Sequence, residues 1–166
     1  MRKSQFVAQG GILTALSLAL LLLASVLPTG QIGVCAAAGI VPAVPLAHGR
    51  VRLGVLICVA TIGLGVFAVP RKGILLAYAA FAVYTLVKYA AERPRRRFLE
   101  WSFKMAYCNA VAAAVWTLMR GGLLPAVQLS GMTAVAVLLI LNVTFIVYDI
   151  AFSRVIALFH RVFPQE

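Results

Sequence analysis

Long apolar runs, broken by short polar or proline-bearing stretches, set the pattern of this chain. A membrane-spanning helix takes about 20 mostly apolar residues, within a range of about 17–25. Six runs answer to that template. The first extends from about Phe6 to Leu27 and stops at Pro28-Thr29-Gly30, a turn signal. The second, from about Ile32 to Ala47, is short and contains Pro42 and Pro45, which predicts a bend. The third covers about Leu53 to Val69 and is stopped by Pro70. The fourth covers about Gly73 to Ala91 and the fifth about Phe103 to Leu118. The sixth runs from about Met132 to Ile150, with the tail IAFSRVIALFHRVF able to continue it. The expectation is an all-α polytopic bundle of about six transmembrane helices, built as a single domain over residues 1–166.

Composition agrees with the pattern. Of the 166 residues, 63% are hydrophobic and 11% charged, and the mean hydropathy is +1.02. A soluble domain carries about a quarter charged residues and close to half apolar ones, so this chain has too little polar surface to cover itself in water. The N-terminal stretch has a basic tip and an apolar core, as a signal peptide does. Its core exceeds the roughly 7–15 residues of such a segment, and the expectation is a retained first span.

Charge then orients the bundle. The net charge is +11 and the isoelectric point near 10.5. In a soluble protein that would suggest nucleic acid, but here the basic residues collect between spans, as cytoplasmic loops require. With the N-terminus inside, Arg2, Lys3, Arg50, Arg52, Arg154, Arg161 and the six basic residues from Lys88 to Lys104 fall inside. Only Arg71, Lys72 and Arg120 fall outside. Both termini are therefore expected in the cytoplasm of a bacterium, with the chain in its inner membrane. The run Arg93, Arg95, Arg96 and Arg97 becomes a cytoplasmic loop facing anionic lipid headgroups. Beside it, Glu100 and Lys104 are spaced i,i+4 in the favourable order, and Lys88 and Glu92 in the weaker one. Trp101 falls at the level of an aromatic belt.

Candidate chemistry is sparse. No metalloprotease, phosphate-loop or nucleophile-elbow motif is present, and Glu92, Glu100, Asp149 and Glu166 are the only acidic residues. The expectation is a non-enzyme with no cofactor and no metal. Cys35, Cys58 and Cys108 lie in apolar runs and read as small packing residues. Asp149, near the inner end of the sixth span, is expected to pair with Lys88, Lys104 or Arg154, because an isolated charge there is costly. Asn109 and Asn142 lie within spans and are expected to bond across helices. Small residues recur every four positions as Gly11, Ala15 and Ala19, and again as Ala106, Ala110 and Ala114. Such stripes let a second helix come close, by default within the bundle and alternatively between proteins. At the outer ends, Thr29, Gln31, Arg71, Lys72, Arg120 and Gln128, with Tyr78 and Trp116 nearby, could line a pocket for a small solute carrying an anionic group.

Six short spans with both termini inside, and GGILTALSLA in the first span with Gly11, Ala15 and Ala19, resemble the substrate-binding subunit of energy-coupling-factor transporters. The resemblance implies a first helix that meets a coupling subunit, which works with paired ATPases. It also implies an outward pocket for a solute such as a vitamin or metal ion. The first outer loop, PTGQ, is shorter than the covering loop that family often has. The stretch FAVYTLVKYAAERPRRRFLEWSFKMAYCN also looks like small uncharacterised membrane proteins of Gram-positive bacteria. Two functions follow as expectations: a solute-capture subunit of an uptake transporter, or a membrane scaffold or assembly factor acting through helix–helix contacts.

Overall fold

The computed structural model describes residues 3–92, 97–121 and 131–162. Among the described residues the chain is helical throughout: α1 (Lys3–Val26), α2 (Gln31–Ile40), α3 (Ala43–Ala47), α4 (Val51–Ala68), α5 (Lys72–Glu92), α6 (Arg97–Arg120) and α7 (Gly131–Val162). Four of these are long and apolar enough to cross a membrane: α1, α4, α5 and the Val135–Ala157 part of α7. The chain is thus multi-pass by helix length and composition. The other two expected spans take different forms. The second is a broken pair, α2 and α3, because Pro42 has no N–H to continue the α2 ladder. The fifth, α6, has the length but carries Glu100, Lys104 and Asn109, and so is less apolar than the four.

The chain forms two compact units, residues 1–90 and 91–166. In the first, α1 turns one face inward: Gly10, Thr14, Ser17, Leu21 and Ala24 are buried at alternating spacings of four and three. The turn into α2 passes through Gly30 in the left-handed region, with φ of 77°, which a residue bearing a Cβ seldom adopts. Gln31 then donates to the Leu27 carbonyl at the head of α2. At the far end of the α2–α3 pair, Arg50 donates to Gln9 Oε1 at 2.8 Å. The broken pair therefore carries the chain back along nearly the whole of α1, a rise of about 26 Å at 1.5 Å per residue. That is close to the roughly 30 Å of a bilayer's hydrocarbon core.

Helices α4 and α5 complete this unit. A Cβ placed on Gly39 of α2 would stand 2.5 Å from Phe81 Cβ and 3.1 Å from the Phe81 backbone, so α2 and α5 meet at backbone distance. At that crossing Thr85 donates to the Gly39 carbonyl at 2.7 Å. Gly54 of α4 accommodates Leu46 of α3 in the same way, its absent Cβ falling 2.5 Å from the leucine Cδ1. The core comprises Leu21, Ala24, Cys35, Ala38, Cys58, Val69, Ile74, Leu75, Tyr78 and Ala82. The cysteines are free and buried; Cys35 and Cys58 point their thiols at the Ile74 and Ala82 carbonyls.

In the second unit α6 and α7 run antiparallel, since Lys104 meets Asp149 and the later Asn109 meets the earlier Asn142. The amide contact is long, at 3.5 Å, and each asparagine also donates to the carbonyl four residues back on its own helix. Cys108 and Phe152 are buried here, and Tyr148 stacks on Phe152 with ring centroids 5.8 Å apart.

Candidate functional site

Three features of the described residues carry chemistry or recognition. The first lies on α1. Gly11, Ala15 and Ala19 are exposed, and nothing lies within 4 Å of a Cβ built on Gly11. At 100° per residue the stripe is centred about 140° round the helix from the buried face. Within residues 1–90 the inward small residue is Gly10, whose Cβ would meet Leu53 at 3.2 Å, and the stripe itself packs on no helix of that unit. Larger exposed side chains flank the stripe, among them Ile12, Leu16 and Leu23. Ala106, Ala110 and Ala114 on α6 are exposed as well.

The second feature is an ionic cluster in residues 91–166. The Lys104 ammonium stands 3.2 Å from Glu92 Oε1, 2.5 Å from Glu100 Oε1 and 2.9 Å from Asp149 Oδ2. Three of the chain's four acidic residues thus converge on one lysine. Lys104 and Asp149 are almost wholly buried, at 2% and 5% exposure, whereas Glu92 is 41% exposed. The Trp101 ring centroid lies 5.8 Å from the ammonium, a cation–π contact. Asp149, expected beside Lys88, Lys104 or Arg154, contacts Lys104. Glu92 also meets Lys104, twelve positions along the chain. Helix spacing made the Glu100 pair legible, but the contacts from α5 and α7 depend on how helices meet.

The third feature was not anticipated from sequence. Ser17 of α1, Thr61 of α4 and Tyr78 of α5 are 0% exposed, and their hydroxyls have no hydrogen-bond partner. Tyr78 shares the buried core with Cys58, three residues before Thr61, and with Leu21, four residues after Ser17. An orphaned buried hydroxyl costs about 1–3 kcal/mol, so the locus is an energetic exception in an otherwise apolar core. The available signal was a hydroxyl within each of three predicted spans, a pattern that gains meaning only when the helices are seen to pack together.

The expected outer pocket residues fall into two groups. Thr29, Gln31, Arg71, Lys72 and Tyr78 belong to the first unit, and Trp116 and Arg120 to the second. Several are engaged locally. Gln31 bonds the Leu27 carbonyl. Lys72 donates to the Val66 carbonyl and, at 3.2 Å, to the Val69 carbonyl, capping the end of α4. Arg120 stacks over Trp116 at 5.1 Å, one helical turn away. Tyr78 stands in the core and not at an open outer end, because its ring fills the space between α1, α2 and α4. Thr29 and Arg71 are exposed. Gln128 and the basic residues Arg93, Arg95 and Arg96 lie outside the described residues, and Arg97 opens α6.

Comparison with protein-family models, with curated proteins and with solved structures gives no match.

Proposed function

We propose that this multi-pass membrane protein works by docking: the outward stripe of α1 receives a transmembrane helix of a partner protein. The observation that carries the reading is the exposure of Gly11, Ala15 and Ala19 on a helix whose other face is fully used. In lipid, helices gain from close packing, and small residues allow the closest approach. Six crossings with both termini inside suit this reading, with α2–α3 counted as one broken crossing and α6 as another. The positive run before α6 then lies on the cytoplasmic side, against anionic headgroups.

The test is substitution on the stripe followed by co-purification in mild detergent. Ala15→Leu and Gly11→Leu are expected to leave the thermal stability of the isolated protein unchanged and to remove the co-purifying partner. A partner retained at full stoichiometry in both variants means that the stripe faces lipid alone, and the reading falls.

Solute capture within an energy-coupling-factor type of uptake system is a narrower form of the same proposal, since there the first-helix stripe meets the coupling subunit. The observation favouring it is Arg71, exposed at the turn between α4 and α5, where the charge pattern places the outer surface. Arg71→Ala should then abolish uptake of an anionic solute while partner docking survives. Unchanged uptake leaves docking, as a scaffold or assembly factor, as the function.

A further inference from the structure

We propose that the Asn109–Asn142 face of the α6–α7 pair receives a second copy of this chain, related to the first by a two-fold axis along the membrane normal. The observation is a pair of amides with unspent hydrogen-bonding groups inside a span. Asn142 sits about 10 Å inside the apolar stretch Val135–Ala157 of α7, at 1.5 Å per residue. Asn109 meets it from α6, so both amides lie at that depth. Neither is covered: Asn109 is exposed and Asn142 half-buried. Each spends one N–H on the carbonyl four residues back, at 2.9 Å to Met105 and at 2.8 Å to Leu138. Between them only the long 3.5 Å contact from Asn142 to Asn109 Oδ1 remains. Among the described residues nothing donates to Asn142 Oδ1, and the second N–H of Asn109 has no acceptor. In hydrocarbon no water completes these bonds, and each group left unsatisfied there is costly.

The unspent groups select the occupant. They are one donor and one acceptor, side by side. A second copy turned by 180° sets its Asn142 carbonyl against the first copy's Asn109 N–H, and its Asn109 N–H against the first copy's Asn142 carbonyl. Both bonds then close between identical patches, as a two-fold interface requires. Depth agrees with this. Copies inserted the same way, as the charge bias dictates, are related by an axis along the membrane normal. About such an axis only groups at equal depth can meet, and Asn109 and Asn142, facing each other across α6 and α7, are at equal depth. Ala106 and Ala113, about one turn either side of Asn109, are small and exposed, so the second backbone can come close. This face belongs to residues 91–166 and the docking stripe on α1 to residues 1–90, so each can be disabled by its own substitutions.

The experiment counts copies of the full chain in lipid vesicles by single-molecule photobleaching, over a series of protein-to-lipid ratios. The wild type should form pairs whose share rises with the ratio. Asn109→Leu removes the donor and Asn142→Leu the acceptor. Symmetry makes each substitution sever both bonds, so either should weaken pairing about tenfold, and the double variant no further. The thermal midpoint of each variant in detergent should not fall. Where an asparagine variant does lose its fold, Ala113→Leu decides: it keeps both amides and blocks the approach, so pairing should be lost, and pairing retained overturns the proposal. A wild type that is single at every ratio overturns it, as does pairing indifferent to both asparagine variants. Pairing lost in Gly11→Leu and kept in the asparagine variants overturns it too, since the second copy then sits on the α1 stripe. A lower midpoint with unchanged pairing means that the amides are satisfied within one chain, and the proposal falls.

Discussion

Residues 1–90 and 91–166 face the same difficulty, burial of polar groups where little water can reach them, and differ in emphasis, although the first also buries the cation Lys88. The first unit removes side chains at its closest points. Gly39 lets α2 lie on α5, Gly54 accommodates Leu46, and the remaining polar groups in its central cluster are neutral hydroxyls and thiols. The second unit keeps full charges and neutralises them, gathering Glu92, Glu100 and Asp149 round Lys104. The contrast shows that shape and charge are separate means of holding helices together in lipid. Packing by shape tolerates no added atom, whereas packing by charge tolerates no removed partner.

Removing the cation should break the comparison most severely. Lys104→Met leaves Asp149 buried beside two further carboxylates, and breaking a buried pair costs about 3–5 kcal/mol. The expected outcome is a large fall in the thermal midpoint in detergent, and Asp149→Asn in the same background should restore part of it. Next in size is an added methyl at the helix crossing. Gly39→Ala forces Phe81 or its backbone to shift, with an expected loss of about 1–3 kcal/mol in reversible unfolding. Gly11→Ala, where nothing is near, serves as its control and should stay within about 0.5 kcal/mol of the wild type.

Smaller effects sharpen the contrast. Thr85→Val removes the hydrogen bond that ties α5 to the Gly39 carbonyl and should cost about 1 kcal/mol, measured in the same way. Glu92→Gln touches the most exposed member of the ionic cluster. Screening limits its loss to about 1 kcal/mol or less, and added salt should shrink it further. If Glu92→Gln proved as damaging as Lys104→Met, the cluster would be acting as one unit and not as a buried pair with a solvated attachment.

Much of the architecture was legible in the chain. Hydrophobic run length located the helices, Pro42 announced the break in the second span, and the apolar tail after Ile150 left room for the sixth helix to continue, as α7 does. The i,i+4 pairing of Glu100 with Lys104 was also readable, because helix geometry alone brings those side chains together. These are local properties, governed by backbone hydrogen bonding and by the thickness of the hydrocarbon layer. Which face of each helix turns inward was not readable. α1 is apolar or small on every side, so Gly10 and Gly11 looked interchangeable, yet one packs on Leu53 and the other meets open space. The burial of Ser17, Thr61 and Tyr78 was equally hidden, as was the meeting of Lys104 with Asp149 across two helices. In water an amphipathic pattern would have marked the inner face. In lipid the outside is as apolar as the inside, so only the packing of one helix on another decides between them.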